Sequence, residues 1–200
     1  GTVKHMLGLK CIHDIVVNAM EYLHIDVPVA LHLDHGTTQE ACEAAIAAGF
    51  SSIMFDGSHL PFRENLAITR HLVTLAHSKG ISVEAELGTI AGSEDGIVNS
   101  EVIYADPQEC YTLVTETQVD CLAAALGSTH GLYKGKARLG FTEMKAIAEQ
   151  VKVPLVLHGG TGIADEDMRR AIACGTAKIN VNTENMYAWC QQVKAIFAAD

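Results

Sequence analysis

The chain has 200 residues, of which 48% are hydrophobic and 19% are charged, a balance that excludes a largely disordered protein. Lys and Arg total 14 against 24 Asp and Glu, and the net charge of -10 argues against general binding to nucleic acid phosphates. No apolar run approaches the roughly 20 residues of a membrane helix, and no signal-peptide pattern is present. We therefore expect a cytoplasmic protein without nucleic acid or membrane partners, folded as one domain over residues 1–200.

Short apolar runs rich in β-branched residues alternate along the chain with amphipathic stretches of helical period. The pattern predicts, in chain order, a helix at 9–22, a strand at 27–33, a helix at 38–48, a strand at 52–55, a helix at 64–79, a strand at 81–86, a helix at 107–115, a strand at 120–126, a helix at 142–151, a strand at 154–157, a helix at 165–174, a strand at 177–181 and a closing helix after Glu184. Such alternation indicates right-handed βαβ units and a parallel sheet, either doubly wound or closed into a barrel.

Polar side chains gather where the predicted strands end. They are His32, Asp34 and His35; Asp56 and His59; Glu84 and Glu86; His130; His158; and Asn180, Asn182 and Thr183. Polar chemistry at every consecutive strand end favours a TIM (β/α)8 barrel, because a doubly wound sheet concentrates its site near one switch point. A barrel has eight strands, so we expect these six to be strands 3 to 8, with the first two upstream of Gly1.

Three of these histidines occupy equivalent places, each beside a glycine. His35, His130 and His158 would put three imidazoles on one rim, which suits a catalytic Zn²⁺ that keeps one coordination position open. A single histidine at such a place would indicate only a polar loop residue, and His59 remains a competing ligand. The spacing therefore predicts a metal site without settling its full ligand set.

Carboxylates accompany the histidines. Asp34 has the strand parity of His32, and it either transfers a proton or orients a metal-bound histidine. Glu84 and Glu86 share one strand face, and each is either a ligand or an inner charge paired with His32. A metal and acid groups can therefore meet at the same end of the strands.

Three loops complete the predicted site. The turns at 158–162 and 180–183 follow the last two strands, where barrels commonly bind phosphate through backbone N–H groups and a helix N-terminus. Such donors hold an anion without a basic patch. The glycine-rich segment 88–96 is expected to be mobile, and it forms either a lid that carries Glu94 to the substrate or a solvated acidic turn.

Six segments closely resemble the class II, metal-dependent fructose-bisphosphate aldolases. They are LHLDHG (31–36), FDGSHLPFREN (55–65), VEAELGTIAGSEDG (83–96), ALGSTHG (125–131), LVLHGGTGI (155–163) and KINVNTE (178–184), in the family's order. The resemblance implies a TIM-barrel carbon–carbon lyase of glycolysis and gluconeogenesis. It would reversibly cleave fructose 1,6-bisphosphate to dihydroxyacetone phosphate and glyceraldehyde 3-phosphate, in a homo-oligomer such as a dimer or tetramer.

The resemblance also implies particular roles for the metal-binding residues. His35, His130 and His158 match the family's Zn²⁺ ligands. Asp56 and Glu86 match the acids that hold a second metal in some members, so a further divalent or a monovalent cation is expected there.

The proton-transfer and substrate residues follow from the same resemblance. Asp34 matches the proton donor, and Glu94 matches the mobile-loop acid that takes a proton from the dihydroxyacetone phosphate carbon. The residues that match the dihydroxyacetone phosphate site are Gly131, Gly159, Gly160, Thr161, Asn180, Val181, Asn182 and Thr183.

Several alternatives remain open at this stage. Relatives that act on tagatose 1,6-bisphosphate or on 6-phospho-5-dehydro-2-deoxy-gluconate share the same motifs. A Schiff-base aldolase would need a strand-end lysine, for which Lys178 is the candidate, although its apolar neighbours favour a structural role. A barrel hydrolase with His and Asp ligands and a catalytically silent barrel are the remaining classes.

Overall fold

The computed structural model describes residues 8–94, 97–99, 103–131, 133 and 135–198. The chain divides into two compact units. The first unit comprises Gly1–Leu87 and Gln108–Leu122, and the second comprises Gly88–Pro107 and Ala123–Asp200. Among the described residues, no helix has both the length and the apolar character needed to cross a membrane.

The first unit alternates helices with parallel strands. Its elements are α1 (Leu9–Tyr22), β1 (His32–Gly36), α2 (Gln39–Ala48), β2 (Ser52–Phe55), α3 (Phe62–His77), β3 (Ser82–Leu87), α4 (Pro107–Thr117) and the start of β6 (Cys121–Ala124). The strand order is β1-β2-β3-β6, and both β1 with β2 and β2 with β3 run parallel. Successive residues of β2 and β3 are buried, as in parallel strands that are covered on both faces.

The helix boundaries of this unit follow from local chemistry, as α2 illustrates. The hydroxyl of Thr38 accepts a hydrogen bond of 3.2 Å from the N–H of Ala41, and so satisfies a donor that the helix itself leaves unpaired. Gly49 ends the helix with a φ of +95°, a left-handed conformation that favours glycine. These two caps hold α2 between β1 and β2.

The described part of the second unit contains two sets of paired strands and three helices. Its elements are β4 (Ala91–Glu94), β5 (Ile97–Asn99), the end of β6, β7 (Thr129–His130), α5 (Phe141–Val151), β8 (Leu155–Leu157), α6 (Asp165–Ala173), β9 (Thr176–Ile179) and α7 (Thr183–Ala198). One sheet has the order β6-β8-β9, with β8 and β9 parallel, and the other has the order β5-β4-β7. Leu155, Val156 and Leu157 are all buried and form the core beside β9.

The structure confirms all six predicted strands but corrects the first of them. The prediction began at Val27, whereas β1 begins at His32, where pairing with Ser52 of β2 starts. Val27 and Val29 are exposed, and Pro28 between them has no N–H to give to a sheet. His32, Asp34 and His35, which were expected at the end of this strand, therefore lie within it.

Part of the glycine-rich segment 88–96 forms a strand that the sequence did not predict. Ala91–Glu94 forms β4, which pairs antiparallel with β5 and parallel with β7. Three short strands were therefore missed, because segments of two to four residues without an apolar alternation carry no period that a sequence can reveal.

Candidate metal centre and substrate site

His35 has an unusual backbone conformation within β1. Its φ is +46°, in the left-handed region that residues other than glycine rarely adopt. The register of β1 against β2 shifts between Leu33 and Gly36, and His35 lies within this irregular stretch. A conformation of this kind costs on the order of 1–3 kcal/mol and occurs most often at functional sites. The irregular strand therefore marks His35 as a functional candidate independently of its chemistry.

His35 forms a compact group with two carboxylates in the first unit. Its Nδ1 lies 2.9 Å from Oδ2 of Asp56 and 3.8 Å from Oε2 of Glu86. These three side chains each offer one potential ligand atom, and the three atoms lie within 4.8 Å of one another. The backbone N–H and hydroxyl of Ser58 donate to Oδ1 of Asp56 at 3.1 and 2.6 Å, which fixes that carboxylate toward the histidine.

The electrostatics of this group favour an ion pair between His35 and Asp56. Burial lowers the pKa of His35, but the hydrogen bond to Asp56 and the nearby carboxylates outweigh burial and raise it to about 9. Burial raises the pKa of Asp56, but the hydrogen bonds from His35 and Ser58 prevail and lower it to about 2. Burial, reinforced by the charge of Asp56, raises the pKa of Glu86 well above its usual value.

Glu84, the second acid of β3, has a different set of neighbours. Its side chain is fully buried, and its Oε2 lies 3.7 Å from Nε2 of His32 and 3.8 Å from Sγ of Cys121. Nδ1 of His32 in turn lies 2.8 Å from the hydroxyl of Ser52. Of the two roles left open for this acid, the geometry matches the inner charge that faces His32.

The second unit brings His130 and His158 together. Their ring centroids are 5.9 Å apart with the ring planes tilted by 54°. Two imidazoles on one Zn²⁺, with Zn–N bonds of about 2 Å and tetrahedral angles, have centroids roughly 5 Å apart, so the observed separation is close to a liganding one. Nδ2 of Asn180 lies 3.4 Å from Nδ1 of His158, a contact with a predicted ligand that the sequence did not reveal.

The two predicted phosphate turns are tied to each other by backbone and side-chain contacts. The N–H of Gly160 donates to the carbonyl of Asn180 at 2.9 Å, so this N–H holds the turns together. The buried hydroxyl of Thr161 accepts from the N–H of Glu184 at 3.5 Å, in the first turn of α7. Val181, by contrast, is exposed at the surface of its turn.

Gly159 allows the backbones of the two histidine segments to approach closely. Its φ is +66°, and a Cβ at this position would lie 2.2 Å from the carbonyl oxygen of Thr129. Tyr133 contacts the same two segments through its hydroxyl, although nothing in the sequence distinguished it from an ordinary loop residue. Gly131 also has a positive φ, of +88°, directly after His130.

The remaining predicted residues are less fully described. Asp34 is half-buried in β1, and its charge helps to raise the pKa of His35. The backbone of Glu94 ends β4 opposite Ile97, while Asp95, Gly96 and the side chain of Glu94 lie outside the described part of the chain. His59 is exposed, and it belongs to neither group of potential metal ligands among the described residues.

The residues of the first unit fit the chemistry of a bound cation. Oε2 of Glu86 is buried and makes no hydrogen bond to any residue that the structure describes. A buried carboxylate oxygen without a donor is costly unless a proton or a cation satisfies it. Asp56 holds Nδ1 of His35, which is the arrangement that orients metal-bound histidines in proteins.

Comparisons of the sequence give a consistent family. A family model described as fructose-bisphosphate aldolase class-II matches residues 1–200. The chain is 54% identical over 200 residues to the fructose-bisphosphate aldolase of Geobacillus stearothermophilus. It is 53% identical over 199 residues to the probable fructose-bisphosphate aldolase of Bacillus subtilis. Each alignment covers 100% of this chain and 70% of the relative.

Solved structures agree with the sequence comparisons. The YdjI aldolase from Escherichia coli K12 is similar with a TM-score of 0.80 and 37% identity, over 94% of this chain and 65% of that one. The fructose-bisphosphate aldolase from Campylobacter jejuni is similar with a TM-score of 0.72 and 26% identity, over 94% of this chain and 61% of that one. The chain thus spans less than two thirds of each solved structure. These similarities confirm the predicted α/β barrel class, and the chain belongs to the class-II fructose-bisphosphate aldolase family.

Proposed function

We propose that this protein catalyses the reversible, zinc-dependent cleavage of fructose 1,6-bisphosphate to dihydroxyacetone phosphate and glyceraldehyde 3-phosphate. The observation that carries the proposal is the family match over residues 1–200, which includes each of the predicted ligand and proton-transfer residues. The family also supports a role in glycolysis and gluconeogenesis, in the cytoplasm, and assembly as a homo-oligomer. None of these assignments needs a nucleic acid or membrane partner.

His35, His130 and His158 are the proposed Zn²⁺ ligands. Support comes from each unit separately: Asp56 engages Nδ1 of His35, and the rings of His130 and His158 are close to a liganding separation. When bound, a divalent metal supplies Lewis-acid stabilisation of the negative charge that develops beside the substrate carbonyl. Asp56 and Glu86 are the proposed ligands of a second cation, which the buried Oε2 of Glu86 supports.

Two carboxylates carry the proposed proton transfers. Cleavage of the C3–C4 bond requires removal of the proton on the C4 hydroxyl, and Asp34 is the proposed group for that proton. The carbon that is left negatively charged must then take up a proton, and Glu94 is the proposed group for this second transfer. In the direction of synthesis, each carboxylate performs the opposite step.

The substrate phosphate is proposed to bind at the turns after β8 and β9. Backbone N–H groups of such turns can hold an anion in a protein of net negative charge. The proposed contacts are Gly131, Gly159, Gly160, Thr161, Asn180, Val181, Asn182 and Thr183. Because the Gly160 N–H already donates to Asn180, the contribution of Gly160 is to hold the turn in place.

A metal-depletion experiment tests the proposed function. The purified protein should cleave fructose 1,6-bisphosphate in a coupled assay, lose activity with a chelator, and regain it with stoichiometric zinc. His130→Ala should lose both zinc and activity, because removal of one of three protein ligands damages affinity and geometry together. His71→Ala is the matched control, since His71 is exposed on α3, where its side chain contacts Glu43. Full zinc occupancy in His130→Ala would refute the assignment.

A further inference from the structure

The hydroxyl of Tyr133 connects the two segments that carry His130 and His158. The N–H of Thr129, the residue before His130, donates to Oη of Tyr133 at 3.0 Å. The same hydroxyl donates to the carbonyl oxygen of Gly159, the residue after His158, at 2.9 Å. A tyrosine hydroxyl can accept and donate at once, and here it uses both capacities on backbone groups of the two segments.

The two segments that the Tyr133 hydroxyl links approach each other closely. A Cβ at Gly159 would lie 2.2 Å from the oxygen and 2.7 Å from the carbon of the Thr129 carbonyl, so the two backbones are nearly in contact. In the part of the chain that the structure describes, β7 pairs with β4, whereas His158 follows β8, so strand pairing does not join the two histidine segments there. The Tyr133 hydroxyl is a direct hydrogen-bonded link between them.

We propose that Tyr133 is a positioning residue: its hydroxyl sets the separation and tilt of the His130 and His158 imidazoles, and thereby the geometry of the metal site. The inference deepens the proposed function and rests on it, because the two rings matter in this way only if both are ligands. The residue needs no contact with the metal or the substrate to act. It acts by fixing the two peptide segments to which the ligand rings are attached.

The physical reason is that the metal requires both rings in one geometry. A ligand set that is free to spread must be ordered each time a metal binds, which reduces affinity. Partners that orient metal ligands typically contribute a factor of about 10 to 100 in metal affinity or activity. Removal of the Tyr133 hydroxyl should therefore weaken binding while every ligand remains in the chain.

The test is the substitution Tyr133→Phe, which removes one oxygen and keeps the ring. Co²⁺ is the probe, because its visible absorption reports ligand geometry as well as binding. Tyr133→Phe should raise the apparent Kd for Co²⁺ about tenfold and change the shape of the visible band. Tyr104→Phe is the matched control, because the Tyr104 hydroxyl also donates to a backbone carbonyl of the second unit, that of Arg138, at 3.4 Å. This substitution should leave both the affinity for Co²⁺ and the visible band unchanged.

The outcomes separate this inference from the proposed function. If the unsubstituted protein binds Co²⁺ no better than His130→Ala does, the proposed metal site itself is wrong. If it binds Co²⁺ through His130 while Tyr133→Phe retains both the affinity and the visible band, the positioning role is wrong, even when the melting temperature falls. Such a result would mean that Tyr133 contributes only to stability.

Amide exchange in the unsubstituted protein provides a second measurement, which needs no variant to fold. The Thr129 N–H should exchange slowly because it is bonded to the Tyr133 hydroxyl, and it should exchange more slowly still after Zn²⁺ is added. Exchange at the rate of an exposed backbone amide, with or without Zn²⁺, would overturn the proposal.

Discussion

Nδ1 of His35 lies 2.9 Å from Oδ2 of Asp56, and this hydrogen bond determines which ring nitrogen a metal would take. Because Nδ1 is engaged by the carboxylate, Nε2 is the atom through which His35 would coordinate the proposed metal. The φ of +46° at His35 directs the side chain from an irregular point of β1. The backbone conformation and the fixed carboxylate therefore orient the same imidazole, as the proposed role of His35 as a metal ligand requires.

The metal-free protein should lose stability on both sides of neutral pH through this pair. The pKa of His35 is raised from 6.5 to about 9, so its stabilising contribution is complete below pH 6.5 and is lost as pH rises through about 9. The pKa of Asp56 is lowered from 3.8 to about 2, so its contribution is complete above pH 3.8 and is lost as pH falls toward 2.

Urea unfolding of the chelated protein across these two pH ranges measures the effect. Asp56→Asn is the comparison variant, because it removes the carboxylate that raises the pKa of His35 and whose own pKa is lowered. Its unfolding free energy should change less than that of the unsubstituted protein between pH 6.5 and about 9. If the unfolding free energies of the two proteins change equally with pH, the predicted ion pair is contradicted.

Glu86→Gln should separate the effects of this acid on stability and on cation binding. Burial raises the pKa of Glu86 and so favours the protonated carboxyl, which glutamine resembles in shape and charge. The unfolding free energy of the chelated protein should change by less than about 1 kcal/mol. Elemental analysis should show loss of the second cation with zinc retained. Glu116→Gln, at an exposed pair with Arg70, should change neither quantity.

The sequence predicted the regular elements well because their signals are local and periodic. β2 was predicted with the bounds observed, and the helix predicted at 38–48 is α2, Gln39–Ala48, with Thr38 as its cap. The start of β1 was wrong, since strand pairing rather than hydrophobicity determines where a strand begins. The resemblance, and not the pattern of residues, supplied the roles of the carboxylates.

Contacts within the site could not be predicted in the same way. The left-handed φ of His35 depends on a register shift between two strands, and no residue type in the sequence marks it. Tyr133 touches Thr129, four residues away, and Gly159, 26 residues away, through backbone atoms that every residue possesses. A sequence shows which side chains are available, whereas contacts with backbone atoms appear only once the chain is folded.

Asp34→Ala and Glu94→Ala should impair different proton transfers. Glu94→Ala should slow the exchange of the dihydroxyacetone phosphate carbon proton with solvent, followed by NMR, while zinc stays bound. Asp34→Ala should reduce cleavage of fructose 1,6-bisphosphate more than it reduces that exchange, because its proposed proton belongs to the C4 hydroxyl. Equal losses of both activities in Asp34→Ala would indicate a structural role, and unchanged exchange in Glu94→Ala would exclude that acid as the carbon base.

Gly159→Ala should destabilise the protein by more than its backbone conformation alone explains. Gly159 and Gly80 have nearly equal φ values, +66° and +70°, so alanine meets similar backbone strain at both, on the order of 1 kcal/mol. At Gly80 the new Cβ would have no atom within 4 Å, whereas at Gly159 it would lie 2.2 Å from the Thr129 carbonyl oxygen. Separation of those backbones should bring the total cost to about 3 kcal/mol. Denaturant unfolding of the two variants measures the difference, and equal losses would mean that the two segments do not approach this closely in solution.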